Sequence, residues 1–162
     1  MQITSSLTYI APCDPVAKML INPDFAKFLG TKLEAQKVTT ELVDGGLQAT
    51  LTVASPDGVG MFLGPTMDII ETLTWQPAAE DGSRTGRMIF ALSGLPAALD
   101  GPLDLHPTPT GCVIDYDADF TVNIPIFGKK LEEMAESYLE KLVKSSEVLG
   151  NQWLAEHQET HA

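Results

Sequence analysis

At the start of the chain, apolar and polar residues alternate with a period of two. Ile3, Leu7 and Tyr9 fall on one side and Thr4, Ser6 and Thr8 on the other, which predicts a half-buried strand. Ala11-Pro12-Cys13-Asp14-Pro15 stops it. Asp14 is expected as a helix N-cap, with Pro15 at the first helical position, where a missing N–H costs nothing. Val16, Met19 and Leu20 form a short apolar stripe behind it. Asn22-Pro23 repeats the device ahead of Phe25, Phe28 and Leu29, and Gly30 is expected to end this second helix.

From Ala35 to Ala54 the period returns to two. Val38, Thr40 and Leu42 lead into Asp44-Gly45-Gly46, and Leu47, Ala49, Leu51 and Val53 lead out, the pattern of a hairpin. Ser55 to Gly60 reads as turn, and Met61 to Thr66 gives no clear pattern. Asp68 to Gln76 predicts a strand with Ile69, Leu73 and Trp75 facing one way. Its hairpin partner is Arg84 to Leu92, with Met88, Phe90 and Leu92 on one face. Ser93 to Pro109 is rich in Gly and Pro and is expected to hold one short strand near Leu103 and Leu105. Cys112 to Ile124 alternates most regularly. Cys112, Ile114, Tyr116, Ala118, Phe120, Val122 and Ile124 face the core, while Asp115, Asp117 and Asp119 face water. After Pro125 the period becomes helical, with Leu131, Met134, Tyr138, Leu142, Leu149 and Trp153 on one stripe.

Lengths decide how these parts combine. A helix from Phe127 to His157 is about 46 Å long, and a compact chain of this size is roughly 40 Å across. Such a helix must cross the whole molecule. The strand from Cys112 to Ile124 offers about 44 Å of apolar face as its partner. The expected architecture is α+β: a curved antiparallel sheet of six or seven strands around one long C-terminal helix, with two short helices after the first strand. One helix seldom fills the concave side of such a sheet, so a cavity is the expected by-product. Residues 1–157 read as a single domain and 158–162 as a flexible tail.

Particular residues sharpen this. Tyr9-x-Ala11-Pro12 with Val16 and Asn22-Pro23-Asp24-Phe25 resembles the opening of the START-like helix-grip (SRPBCC) superfamily, which includes the birch pollen allergen. Trp75-x-Pro77, Ile124 to Glu132 at the helix entrance and Trp153-Leu154 near its end are similar to one branch, the mainly actinobacterial domain-of-unknown-function 2505 family. The resemblance spans nearly the whole chain. It implies the helix-grip fold and a ligand cavity between sheet and helix. Superfamily relatives bind lipids, sterols or polyketides, some cyclise or dehydrate them, and some are co-chaperones. Two departures stand out. Ile126-Phe127-Gly128-Lys129 replaces the family's L-V-G-G, and the plant members' glycine-rich loop is missing at Asp44-Gly45-Gly46.

Composition narrows the partners. The 162 residues are 44% hydrophobic and carry 10 Lys and Arg against 22 Asp and Glu, a formal charge of -12. Such a surface repels phosphate backbones and anionic headgroups, and the apolar runs are far shorter than the roughly 20 residues a bilayer span needs, so neither nucleic acid nor an integral membrane association is expected. Cys13 and Cys112 form no CxxC pair and no signal sequence is visible, which reads as a cytoplasmic protein with reduced thiols.

The catalytic inventory is thin. No HExxH, GxSxG, Walker or Rossmann pattern occurs, and Gly58, Gly60 and Gly64 are followed by no Lys-Ser or Lys-Thr. His157 and His161 read as a solvated tail and not a metal pair, and His106 as an ordinary loop residue without a positioned carboxylate. Asp115, Asp117 and Asp119 lack the bent loop of a calcium site. No metal and no cofactor are expected. What remains is the interior. Tyr9, Tyr116 and Tyr138 fall on inward registers, where buried phenols seek hydrogen-bond partners. Trp75, Met88, Phe90, Phe120, Met134 and Leu142 offer adaptable apolar walls. The reading is a non-catalytic binder of a small hydrophobic molecule, lipid, sterol-like or polyketide-like. The alternatives are a cyclase or dehydratase using a Tyr or His106 in the same cavity, and a co-chaperone-like module with an exposed apolar patch.

Overall fold

The computed structural model describes residues 1–56 and 60–157. Its elements run β1 (Gln2–Tyr9), α1 (Cys13–Leu20), α2 (Pro23–Lys32), β2 (Lys37–Val43), β3 (Gly46–Ala54), α3 (Gly60–Leu63), β4 (Thr66–Trp75), β5 (Arg84–Leu92), β6 (Ala97–Thr108), β7 (Gly111–Val122) and α4 (Gly128–His157). The strands form one antiparallel seven-stranded sheet in the order β1-β7-β6-β5-β4-β3-β2. The sheet curves around α4, and β1 and β2 are its edges. The expected α+β helix-grip architecture is the one observed.

Local chemistry explains the departures. The Asn22 side chain caps α2 by accepting from the Asp24 amide at 2.9 Å, as expected. Asp14 does not cap α1. The helix begins two residues earlier, at Cys13 after Pro12, and Pro15 still falls among the opening amides that have no helical partner to lose. Asp14 instead pairs with Lys18 at 2.9 Å and Arg84 at 3.3 Å. Nor does Gly30 end α2. It lies within the helix, where an added Cβ would meet the Val38 side chain at 2.2 Å, and the chain turns at Glu34, whose φ is 60°.

Asp44 and Gly45 form the two-residue β2–β3 turn, with Gly45 at φ 77°. In place of one short strand, β6 is a 12-residue strand through Gly101 and Pro102. Pro102 can donate nothing, and the β6–β7 ladder passes over Gly101 and Pro102 with its register intact, while β5 still pairs there. Within the indistinct Met61 to Thr66 stretch, Gly60–Leu63 form the single turn α3 and Thr66 opens β4. The tail from Gln158 lies outside the described residues.

The long helix is anchored against β1 and β7. Its deepest residues are Leu131, Leu139, Val143, Gly150 and Leu154, a stripe rotated from the expected one. Met134 is 36% exposed. The rotation brings the helix side chains onto the open edge of β1. Asn151 accepts from the Ile10 amide and donates to the Thr8 carbonyl, both at 2.9 Å, and Glu147 accepts from the Thr8 amide at 2.9 Å. Edge groups that would invite another strand are thus satisfied by α4. Near the other end, Glu132 accepts from the Val122 amide at 3.2 Å. Trp153 packs its ring against Phe25 at 5.5 Å and Phe28 at 5.4 Å, fixing α2 to the end of α4.

Because α4 leans toward β1 and β7, it meets the other half of the sheet less closely, with Tyr138 packed on the smaller of two apolar clusters. The core divides accordingly. One cluster joins β1, β5, β6, β7, α1 and α4, and a smaller one consists of Ala26, Leu47, Ala49, Leu51, Val53, Met67 and Ile69.

Candidate functional site

Between the two apolar clusters lies a cavity of about 290 Å³. Leu47, Ala49, Leu51 and Val53 of β3 form one wall, as the alternation of that strand requires. Phe25, Ala26 and Leu29 of α2 close one end, and Tyr138, Leu142 and Val143 of α4 form the roof. Met88 and Phe90 of β5, Leu103 of β6 and Ile114 and Tyr116 of β7 line the floor. Tyr9 reaches it from β1. Its ring runs beneath α4 at Gly150, where any Cβ would come within 2.8 Å of Tyr9 Cε1. A smaller cavity of about 50 Å³ adjoins, sharing Ile69, Phe90, Tyr138 and Leu142 and extending to Phe120 and Met134.

Of the residues singled out from the sequence, Tyr9, Met88, Phe90, Tyr116, Tyr138 and Leu142 line the main cavity together. Phe120 and Met134 line the smaller one. Trp75 is not part of either wall: it packs against the larger core cluster and its indole N–H donates to the Ala17 carbonyl at 3.1 Å, so it joins β4 to α1.

Several lining residues were missed, and one of them, Glu71, brings an ionisable carboxyl. Glu71 lies on β4 between Ile69 and Leu73, on the inward register, opposite Phe90 of β5 and Ala49 of β3. Simple alternation from Ile69 to Leu73 already places it there. The residue is half-buried on the cavity wall, and its removal from bulk water raises its pKa from 4.5 to about 7. No salt bridge to Glu71 exists among the described residues. The hydroxyls of Tyr9 and Tyr116 are buried and have no hydrogen-bond partner. Burial pushes both phenols well above their ordinary range, reinforced at Tyr9 by the charges of Glu147 and then Glu71, and at Tyr116 by those of Glu71 and then Asp100. Burial also raises Tyr138. The cavity is therefore an apolar chamber with an unpaired carboxylate on its β4 wall and two unpaired phenol oxygens packed into the walls from β1 and β7.

Other candidates lie elsewhere. His106 belongs to β6 and not to a loop. It does have a carboxylate neighbour, Asp115 at 3.8 Å, but the pair stands partly exposed, away from the cavity lining. His157 stacks on Trp153 at 3.8 Å, and His161 lies outside the described residues. Asp115 and Asp117 bond Ser6 and Gln2 across the β1–β7 pair. No cluster of three or more metal-ligating side chains occurs among the described residues. Cys13 and Cys112 are free and buried, with their sulfurs 3.1 Å apart, and burial raises the Cys112 thiol. No described helix is long and apolar enough to cross a membrane.

The family described as "Protein of unknown function (DUF2505)" matches residues 4–154. The chain belongs to this family. No curated protein matches it. Among solved structures, the DUF2505 chain resembles TTHA0849 from Thermus thermophilus, with a TM-score of 0.61 and 15% identity over 93% of this chain and 97% of that one. A START superfamily protein from Mycobacterium smegmatis gives 0.58 and 16% over 94% and 98%. A norcoclaurine synthase point mutant from Thalictrum, bound to a transition state analogue, gives 0.59 and 17% over 98% and 96%. At these identities the likeness establishes the fold, a START-like helix grip.

Proposed function

We propose that this DUF2505 protein binds a small, mainly apolar molecule in the cavity between its sheet and α4. The observation that carries the reading is the division of the core. Two apolar clusters that would close on each other in a solid interior are instead held apart around about 290 Å³ of space. Protein interiors are close-packed as a rule, and a void of this size forfeits the dispersion contacts of its whole lining. The volume falls near the lower end of small-molecule sites, so the occupant is small, closer to a medium-chain lipid than to a bulky polycycle. Two of the solved relatives support a ligand-binding use of this fold, one by its START designation and one by its bound transition state analogue.

Native mass spectrometry of the purified protein, followed by solvent extraction, tests for a resident molecule. Titration with Nile red tests the site itself. The wild-type chain is expected to brighten and blue-shift the dye. Ala49→Phe, which pushes a ring into the chamber from β3, is expected to abolish the response while leaving the circular dichroism spectrum unchanged. A folded Ala49→Phe chain that binds the dye as well as wild type refutes the reading.

A further inference from the structure

The three polar groups of the chamber say more about its occupant than the apolar walls do. Glu71 occupies a register position that its neighbours Ile69 and Leu73 fill with hydrocarbon, and it has no cationic partner among the described residues. The hydroxyls of Tyr9 and Tyr116 are equally unsatisfied. All three residues line the same cavity, the two phenol oxygens packed into its wall and Glu71 on its β4 side. Buried polar groups are ordinarily paired, and a carboxylate on an apolar wall without a counter-charge is the costliest exception. An unpaired carboxylate on such a wall marks a place where another molecule supplies the partner.

We propose that the cavity takes an amine: an apolar molecule with one protonated nitrogen that pairs with Glu71. This rests on the ligand-binding reading above. An ammonium offers donors to the carboxylate oxygens and cancels their charge. A neutral alcohol satisfies hydrogen bonds but leaves the charge unmatched, and a fatty carboxylate adds a second anion beside the first. The long-range field agrees, since a chain with a formal charge of -12 draws cationic amphiphiles and repels anionic ones. The one lysine of the lining, Lys141, is on the exposed side of α4, and long amphipathic side chains of this kind keep their charged heads in water.

The test uses one tail with three heads: decylamine, decanol and decanoate, titrated calorimetrically into the wild-type chain and Glu71→Gln. At about pH 8, decylamine is expected to bind wild type about tenfold or more tighter than decanol, with decanoate weakest, a gap of about 1.4 kcal/mol or more. Glu71→Gln is expected to bring decylamine down to the level of decanol and to leave decanol within about twofold. Lowering the pH of the wild type to about 5 is expected to do the same, because Glu71 then carries a proton while decylamine stays charged. The other titratable groups facing Glu71 are Tyr9, Tyr116 and Tyr138, all held protonated by burial, and Lys141 at the rim. The wild-type pH series decides the matter even if the variant does not fold. A decylamine affinity no greater than that of decanol, or a preference that survives both protonation and Glu71→Gln, overturns the proposal and leaves the apolar cavity standing. Failure of all three probes together with Nile red overturns the cavity reading as well.

Discussion

Glu71→Gln isolates the cost of placing a carboxylate in an apolar chamber. Gln keeps the volume and the hydrogen-bonding capacity but cannot ionise. In the folded chain burial raises the Glu71 pKa from 4.5 to about 7, so the folded state binds a proton more tightly than the unfolded state does. Between these values the folded protein holds a proton that the unfolded chain has released, and stability falls as pH rises through that window. At about 1.4 kcal/mol per pH unit, the loss reaches about 3 kcal/mol at about pH 8, and is below about 1 kcal/mol at about pH 5. Urea unfolding of both chains, followed by circular dichroism, measures it. With a slope of roughly 2 kcal/mol per molar urea, the Gln variant is expected to unfold at a midpoint about 1.5 M higher than wild type at about pH 8. Near pH 5 the two midpoints should lie within about 0.5 M of each other. Every other titrating group is common to the two chains, so their difference reports Glu71 alone. Equal midpoints at about pH 8, or a gap that does not change with pH, would refute the claim that the chamber raises the pKa of this carboxyl.

The remaining predictions concern the helix and its attachment. Asn151→Ala removes two of the three bonds that hold α4 to the edge of β1 and is expected to cost about 1–3 kcal/mol, read as a lowered thermal midpoint. Leu131→Ala is expected to cost about 2–5 kcal/mol and Met134→Ala less than about 1 kcal/mol, since only the first is buried; paired denaturation curves distinguish them. Ile126 precedes the helix with φ 74° and is 93% exposed, so Ile126→Gly relieves backbone strain without losing packing. It is expected to raise stability by about 1 kcal/mol in the same assay.

The fold was legible wherever one rule dominated. Alternation in β1, β3 and β7 matched their buried faces because each has one side on the core and a more exposed one opposite. The long helix was forced by the stretch between Pro125 and His157. Local reasoning failed where tertiary context overrode it. Gly30 and Gly101 look like breaks but sit where another chain segment passes too close for a Cβ. Met134 shares the apolar stripe by spacing, yet the rotation of α4 is set by its bonds to β1, which no helical period contains. Most of the cavity wall followed from inward registers. Trp75 did not, because its indole N–H found a carbonyl in α1. Glu71 was readable from the same alternation as Ile69 and Leu73, but a charged residue carries no apolar signal, so a search for hydrophobic walls passes over it.

The hollow between the two halves of the core also sets how this chain responds to mechanical compression. Unfolding lets water occupy space that the native state keeps open, so the unfolded solution takes up less volume. Hydrostatic pressure therefore drives this protein toward unfolding more readily than it would a solidly packed relative of equal thermal stability. A molecule seated in the chamber removes that weakness, which makes the shift in pressure midpoint a gauge of occupancy requiring neither a label nor knowledge of the occupant.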